Sequence, residues 1–300
     1  MRVSYRVLVA IVCLVAAPLG AVDYLTDWED RAIVFGAGAE KSYYMSVLYD
    51  ADGFPDGDGP GDSYMMWYAS SSGLVKVTTS TDGAPWLPEP GSDFGVVCAN
   101  HPALLFEPAG FARTGANGPD TMYYRMYLWD MRALYHNSGS SACQPLCMMG
   151  YAESADGHTF HNQGYVTQAA GGQVIPASGD PGSPWRGSYG PFQILFDPSI
   201  PEGSGRNATS PMANRYVMYY DLTTGGSEVI GLAFSDDGLT WEGYSGNPIV
   251  TGDQDWETCG VPPSPPPCRE YVSRSHVMER NGTWYMFYSG GNGKMNEGIG

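Results

Sequence analysis

The chain reads as an all-β protein of repeated four-stranded blades, a β-propeller. Three observations predict this: a recurring Ser-x-Asp-Gly-x-x-aromatic element, an aromatic strand upstream of each copy, and a turn-rich composition with little charge. The sequence holds 40 Gly, 23 Pro and 21 Tyr, with 43% hydrophobic and 16% charged residues. Such a chain turns often yet can bury a large core, which argues against global disorder.

The recurring element stands at Ser80-Thr-Asp82-Gly83-Ala-Pro-Trp86, Ser154-Ala-Asp156-Gly157-His-Thr-Phe160 and Ser235-Asp-Asp237-Gly238-Leu-Thr-Trp241, with copies 74 and 81 residues apart. Asp-Gly predicts a two-residue hairpin turn, with both central residues at positive φ, joining the third strand of a unit to its fourth. Upstream lie Tyr64-Met-Met66-Trp67-Tyr68, Tyr124-Arg-Met126-Tyr127 and Tyr216-Val-Met218-Tyr219-Tyr220, with a fourth copy at Trp284-Tyr-Met286-Phe287-Tyr288. Their aromatic enrichment makes them strands. Before each comes an apolar run ending in an acid, at Tyr44 to Asp50, Pro102 to Glu107, Pro191 to Asp197 and His276 to Glu279, which is the first strand of the unit. Leu74 to Thr79, Met148 to Glu153 and Val229 to Phe234 supply the third.

All eight tryptophans occupy recurring positions: Trp86 and Trp241 after the turn, Trp67, Trp129 and Trp284 in or beside strand two, and Trp28, Trp185 and Trp256 near blade entry. This regularity predicts core packing. Four strands per unit with large aromatics between units suit radially packed blades, whereas a stacked solenoid would have shorter repeats. A two-sheet sandwich with coincidental similarity is the alternative architecture.

Residues 1–21 have the layout of a secretory signal peptide: Arg2 and Arg6, an apolar run from Val7 to Ala17, then Pro18, Leu19, Gly20 and Ala21. The run is short for a membrane span, and no later segment reaches the roughly 20 apolar residues a span needs. The expectation is a protein secreted or held outside the cytoplasm, with residues 22–300 as one propeller domain; an uncleaved N-terminal anchor is the alternative. The formal charge is −17 with only Lys41, Lys76 and Lys294 as lysines, which argues against nucleic acid as a partner.

Beyond Cys13 in the leader, five cysteines remain: Cys98, Cys143, Cys147, Cys259 and Cys268. Cys259 and Cys268 bracket a proline-rich loop that a disulfide would staple, while Cys143 and Cys147 could pair with each other or with Cys98. Asn207-Ala-Thr and Asn281-Gly-Thr match the glycosylation acceptor pattern.

The combination of Tyr-x-Met-Tyr-Tyr, Ile-Gly-Leu-Ala-Phe-Ser-Asp-Asp-Gly-Leu-Thr-Trp and Asn247-Pro248-Ile249-Val250 resembles the five-bladed propeller glycosidases, the arabinanase, xylosidase, invertase and levansucrase superfamily. Sialidase Asp-boxes are similar but carry one more residue between Asp and Gly, which all three copies here lack. The resemblance implies acids from the innermost strands of different blades, converging at one end of a central funnel. Two carboxylates would then share the work, one protonating the leaving oxygen and the other activating water or attacking carbon. The implied activity is a glycoside hydrolase acting on poly- or oligosaccharide; the alternative is a non-catalytic propeller that binds carbohydrate or protein.

Phe196-Asp197-Pro198-Ser199-Ile200 matches the Asp-Pro signature of the arabinanase-like base, but Asp50, Glu107 and Glu279 end the equivalent strands of other units. Four equivalent acids argue for a turn role. The acids best placed to reach a funnel are Asp30, Glu40, Glu257 and Glu270, each alternatively a solvated loop carboxylate. His101, Tyr189 and Arg274 precede or begin inner strands, where they could bind sugar hydroxyls or serve packing and capping.

The stretch from Asp50 through Asp52, Asp56 and Asp58 to Asp62 sets five carboxylates on one Gly-rich connection. Calcium favours oxygens on a flexible loop, making Asp52, Asp56, Asp58 and Asp62 candidate ligands, with a solvated acidic loop as the alternative. No other cofactor is implied. Aligning Ile299-Gly300 with Ile230-Gly231 gives about three and a half blades, a propeller incomplete at its C-terminal side.

Overall fold

The computed structural model describes residues 42–50, 52–54, 63–70, 75–81, 86–93, 100–129, 149–168, 190–224, 227–254, 257, 271–291 and 297–299. The expected leader, all the cysteines, Trp28, Trp185 and Trp256 lie outside the described residues.

The repeats become four-stranded antiparallel sheets. Blade one is β1 (Ser42–Tyr49), β2 (Tyr64–Ser70), β3 (Val75–Ser80) and β4 (Leu87–Asp93). Blade two is β5 (Asn100–Ala112), β6 (Thr121–Trp129), β7 (Met149–Ser154) and β8 (Phe160–Tyr165), after which comes the short β9 (Thr167–Gln168). Blade three is β10 (Gly190–Phe196), β11 (Tyr216–Thr224), β12 (Ser227–Ser235) and β13 (Thr240–Gly243). Blade four shows β14 (Tyr271–Arg280), β15 (Thr283–Gly291) and β16 (Glu297–Ile299). Among the described residues one parallel bridge, Glu228 to Tyr271, links the sheets of blades three and four.

The core lies between blades, because alternate residues of each aromatic strand face opposite neighbours. Met65 and Trp67 of blade one meet Tyr124, Met126 and Leu128 of blade two. Tyr127 of blade two meets Tyr216, Met218 and Tyr220 of blade three, with Trp241 edge-on to Tyr127 at 5.8 Å. Val217 and Tyr219 then face Val272, Val277 and Tyr288 of blade four. One residue type at one strand position thus serves a different interface from its chain neighbour.

The second and third copies of the Ser-x-Asp-Gly element lock the interfaces of blades one with two and two with three, while Asp82 and Gly83 of the first copy lie outside the described residues. Ser154 Oγ donates to Asp156 Oδ1 at 2.8 Å, and that oxygen accepts the His158 and Thr159 amides at 2.8 and 2.6 Å. Ser235 and Asp237 repeat the pattern, with the Leu239 and Thr240 amides at 2.7 and 2.6 Å. The turn differs from the predicted two-residue hairpin. Only Gly157 and Gly238 take positive φ, 77° each, while the aspartates stay outside that region and four or five residues separate the strands. The reason is the aspartate's cap: bonding two following amides requires an open loop. Burial alone would raise Asp156 and Asp237, but those amides and the serine hydroxyls outweigh it and hold both below the usual carboxylate value.

The turned glycine carbonyl then docks on the preceding blade. Trp67 Nε1 donates to Gly157 O at 2.9 Å, and Tyr127 OH donates to Gly238 O at 3.0 Å, from equivalent positions of strands β2 and β6. A Cβ on Gly238 would sit 2.7 Å from the Tyr127 hydroxyl. The Asn247-Pro248-Ile249-Val250 segment closes blade three in its own way. Asn247 accepts the Leu232 amide and donates to its carbonyl, at 2.8 and 2.9 Å, so a side-chain amide stands in for a strand neighbour.

Innermost strands lie side by side in chain order, β1 by β5, β5 by β10 and β10 by β14. Side chains bridge them. Ser46 Oγ accepts the Leu104 amide at 3.2 Å, and at the equivalent position Gln193 donates to Val277 O at 2.7 Å while accepting the Val277 amide.

The tryptophan expectation holds only in part. Trp67, Trp86 and Trp241 are buried, Trp129 is half-buried, and Trp284 is 51% exposed. Among the described residues β16 pairs with Ser289 to Gly291 of β15, at the end of that strand away from Trp284.

Gly238→Ala combines positive-φ strain with the Tyr127 clash and should cost about 1–3 kcal/mol. A urea midpoint equal to that of the parent would contradict it. Gln193→Leu leaves the Val277 amide and carbonyl without this partner and should cost about 1–3 kcal/mol by the same measurement.

Candidate functional site

The two ends of the blades differ in a way that locates the site. At the end where strand one turns into strand two, the acids repeat and do the same job. Asp50 accepts the Asp52 amide, Glu107 the Ala109 amide, Asp197 the Ser199 amide and hydroxyl, and Glu279 the Gly282 amide. Asp197, despite its Asp-Pro context, caps its turn as its three counterparts do, and is itself exposed.

At the other end each innermost strand begins with a β-bulge. Two residues face one of the neighbouring strand, with the register shifting between Tyr43 and Ser46, Asn100 and Ala103, Pro191 and Gln193, and Ser273 and His276. A bulge re-aims the side chain it carries. His101 and Arg274 occupy equivalent bulge positions and both take left-handed backbone, φ 50° and 60°. Non-glycine residues rarely do so, and such strain concentrates at functional sites.

These bulges bring side chains from three blades together. The buried His101 ring lies edge-on to Trp129 at 5.2 Å and to Phe192 of blade three at 4.9 Å. Gly190 permits this approach, because a Cβ there would stand 2.6 Å from the Trp129 Cβ and 3.3 Å from that of His101. Burial, and then the positive charge of Arg274, hold His101 well below its ordinary pKa, so it is neutral at pH 7.

Asp221 completes the group. It is 1% exposed within β11, and its Oδ1 accepts the Arg274 amide at 3.3 Å, with a further side-chain hydrogen bond to Ser273. Burial pushes its carboxyl well above the ordinary value and repulsion from Glu228 adds to this, against the pull of Ser273 and Arg274. Sequence reasoning missed it. The signal was nonetheless present: the equivalent residues of the other aromatic strands are Ala69, Trp129 and Ser289, so this position varies where its neighbours repeat.

Of the acids expected to reach a funnel, Asp30, Glu40 and Glu270 lie outside the described residues, as does Tyr189. Glu257 is described. It is fully buried, its Oε2 accepting the Asp253 and Gln254 amides at 3.0 Å each and its Oε1 accepting the Tyr288 hydroxyl at 2.7 Å. Its carboxylate ties the Asp253–Gln254 turn to Tyr288 of blade four. Burial first, then the bond to Glu257, push the Tyr288 phenol up to about 12.

Asp56, Asp58, Asp62, Cys259 and Cys268 also lie outside the described residues. Asp52 is exposed and donates its amide to Asp50. Among the described residues no cluster of three or more His, Cys, Asp or Glu could hold a metal ion, and no helix is long and apolar enough to cross a membrane.

No family model matches the sequence, and no curated protein matches it significantly. Solved structures are similar in fold. One described as a glycoside hydrolase is 15% identical, covering 89% of this chain and 88% of its own at a TM-score of 0.46. An alpha-L-arabinofuranosidase from Lactobacillus brevis is 11% identical over 86% of this chain and 66% of its own, at 0.48. A structure from the GH130 family of mannoside phosphorylases, described as containing glycoside hydrolases that target beta-1,2 mannosidic linkages in Candida mannan, is 12% identical. It covers 86% of this chain and 64% of its own, at 0.49.

A group whose folded pKa is raised stabilises the fold at low pH, and that contribution is lost as pH rises from the unfolded value of about 4 through the folded one. Asp221→Asn removes this loss. The melting temperature of the variant relative to the parent should therefore rise between pH 5 and pH 8, and parallel curves would contradict the buried, proton-holding carboxyl.

Proposed function

We propose that this protein is a glycoside hydrolase acting outside the cell on poly- or oligosaccharide bound at the bulged end of its innermost strands. The observation that carries this reading is the asymmetry of the blade ends. Side chains of unlike chemistry, His101, Phe192, Arg274 and Asp221, gather at one end of a scaffold whose opposite end repeats itself. Carbohydrate recognition needs such a mixture, with aromatic faces against sugar rings and polar groups fixing hydroxyls.

The resemblance of the blade motifs to propeller glycosidases supports the reaction class, and the leader-like residues 1–21 support the location. Hydrolysis needs a proton donor and a base or nucleophile about 5–10 Å apart. Asp30, Glu40, Glu257 and Glu270 are the candidate carboxylates from which this pair is drawn, with His101, Arg274 and Tyr189 binding substrate. The carbohydrate- or protein-binding alternative is favoured by one observation, the full engagement of Glu257 by its own loop and Tyr288.

The test is turnover of a panel of aryl glycosides by the full chain. Asp30→Ala, Glu40→Ala or Glu270→Ala should lower kcat/KM by about 100-fold or more where the residue does acid, base or nucleophilic work. His101→Asn, which tolerates the left-handed backbone, should raise KM about tenfold. Saturable oligosaccharide binding without turnover on any panel member would instead establish the binding module.

A further inference from the structure

Asp221 stands between two blades that share little backbone. Among the described residues Glu228 and Tyr271 form the one bridge between their sheets, and the Asp221 carboxyl adds a tie at the bulged end by accepting the Arg274 amide and bonding the Ser273 side chain. Those two residues open the bulge of β14, and Arg274 there holds a φ of 60° that its side chain disfavours. Left-handed backbone at a non-glycine residue persists where its surroundings over-determine it, and two consecutive residues bonded to one buried carboxyl do this. The fold itself does not require the arrangement. Ala69, Trp129 and Ser289 fill the same strand position elsewhere, and in blade two the left-handed His101 is held by rings instead.

We propose that Asp221 is the positioning residue of the site: its carboxyl fixes the Ser273–Arg274 bulge and thereby the direction in which Arg274 meets a saccharide. Its placement explains why a buried acid is tolerated at the edge of an apolar interface lined by Val217, Tyr219 and Val272. The saccharide part rests on the function proposed above; the backbone part does not.

Amide hydrogen exchange on the full chain separates the two. Asp221→Ala should speed exchange of the Arg274 amide at least tenfold while the Gly238 amide, held by Ser235 Oγ, stays within twofold. Asp221→Asn keeps an acceptor oxygen and should restore parental exchange. If Asp221→Ala fails to fold, Asp221→Ser, whose hydroxyl falls short of the Arg274 amide, takes its place with the same expectation. Kinetics on whichever aryl glycoside is turned over should show KM raised at least fivefold by Asp221→Ala, rescued by Asp221→Asn, and unchanged by adding Asp221→Ala to Arg274→Gln. Should no glycoside be turned over, the glycosidase reading fails and exchange alone decides the positioning role. Arg274 exchange within twofold of the parent in Asp221→Ala or Asp221→Ser, or additive KM effects, would overturn the proposal.

Discussion

The packing of blades one, two and three depends on one contact, the glycine carbonyl of a Ser-x-Asp-Gly turn received by an aromatic donor of the preceding blade. Trp67 supplies it to Gly157 and Tyr127 to Gly238. The contact demands a residue without Cβ at positive φ, a capped aspartate that keeps the loop open, and a long aromatic side chain whose polar tip survives burial. Each blade is a thin sheet with two apolar faces. Without that docking, its rings would have no fixed register against the next blade.

A consequence is division of labour along the strands. The turn-bearing end is committed to holding blades together, so its acids and aromatics repeat. Arg125 shows how strict this is. Buried in the interface between blades two and three, it gives hydrogen bonds to Tyr216 OH, Asp237 O and Ala112 O and lies 4.5 Å from the Phe111 ring centre. The opposite end carries the strand-opening bulges of the innermost strands. There the bulges convert a regular ladder into differently aimed side chains, and His101, Phe192, Arg274 and Asp221 meet.

The fold was legible because each motif residue has a task few others can perform. Serine and aspartate cap, glycine turns, and the aromatic strand packs on both sides; such constraints leave a repeat in plain sight. Asn247-Pro248-Ile249-Val250 was legible for the same reason, once Asn247 is seen to complete a strand edge. The site was far less so. Composition and spacing pointed to His101 and Arg274 as strand-opening residues, but not to the bulges that turn them. Asp221 was hidden inside an aromatic strand, where the eye reads packing, and only comparison of the repeats exposes it. Glu257 stands in an Asp-Trp-Glu entry segment, and its burial depends on loop amides and on Tyr288, 31 residues away. Burial and partner identity are tertiary properties that an acid's place in a motif does not encode.

The central claim, that chemistry resides at the bulged end and cohesion at the turn end, is open to one direct measurement: a crystal structure of the full chain soaked with an oligosaccharide that it binds in solution. The account predicts sugar against His101, Phe192 and Arg274, with the turns at Gly157 and Gly238 still docked on Trp67 and Tyr127. Sugar seated among the turn-capping acids Asp50, Glu107, Asp197 and Glu279, with the bulged end empty, would contradict it.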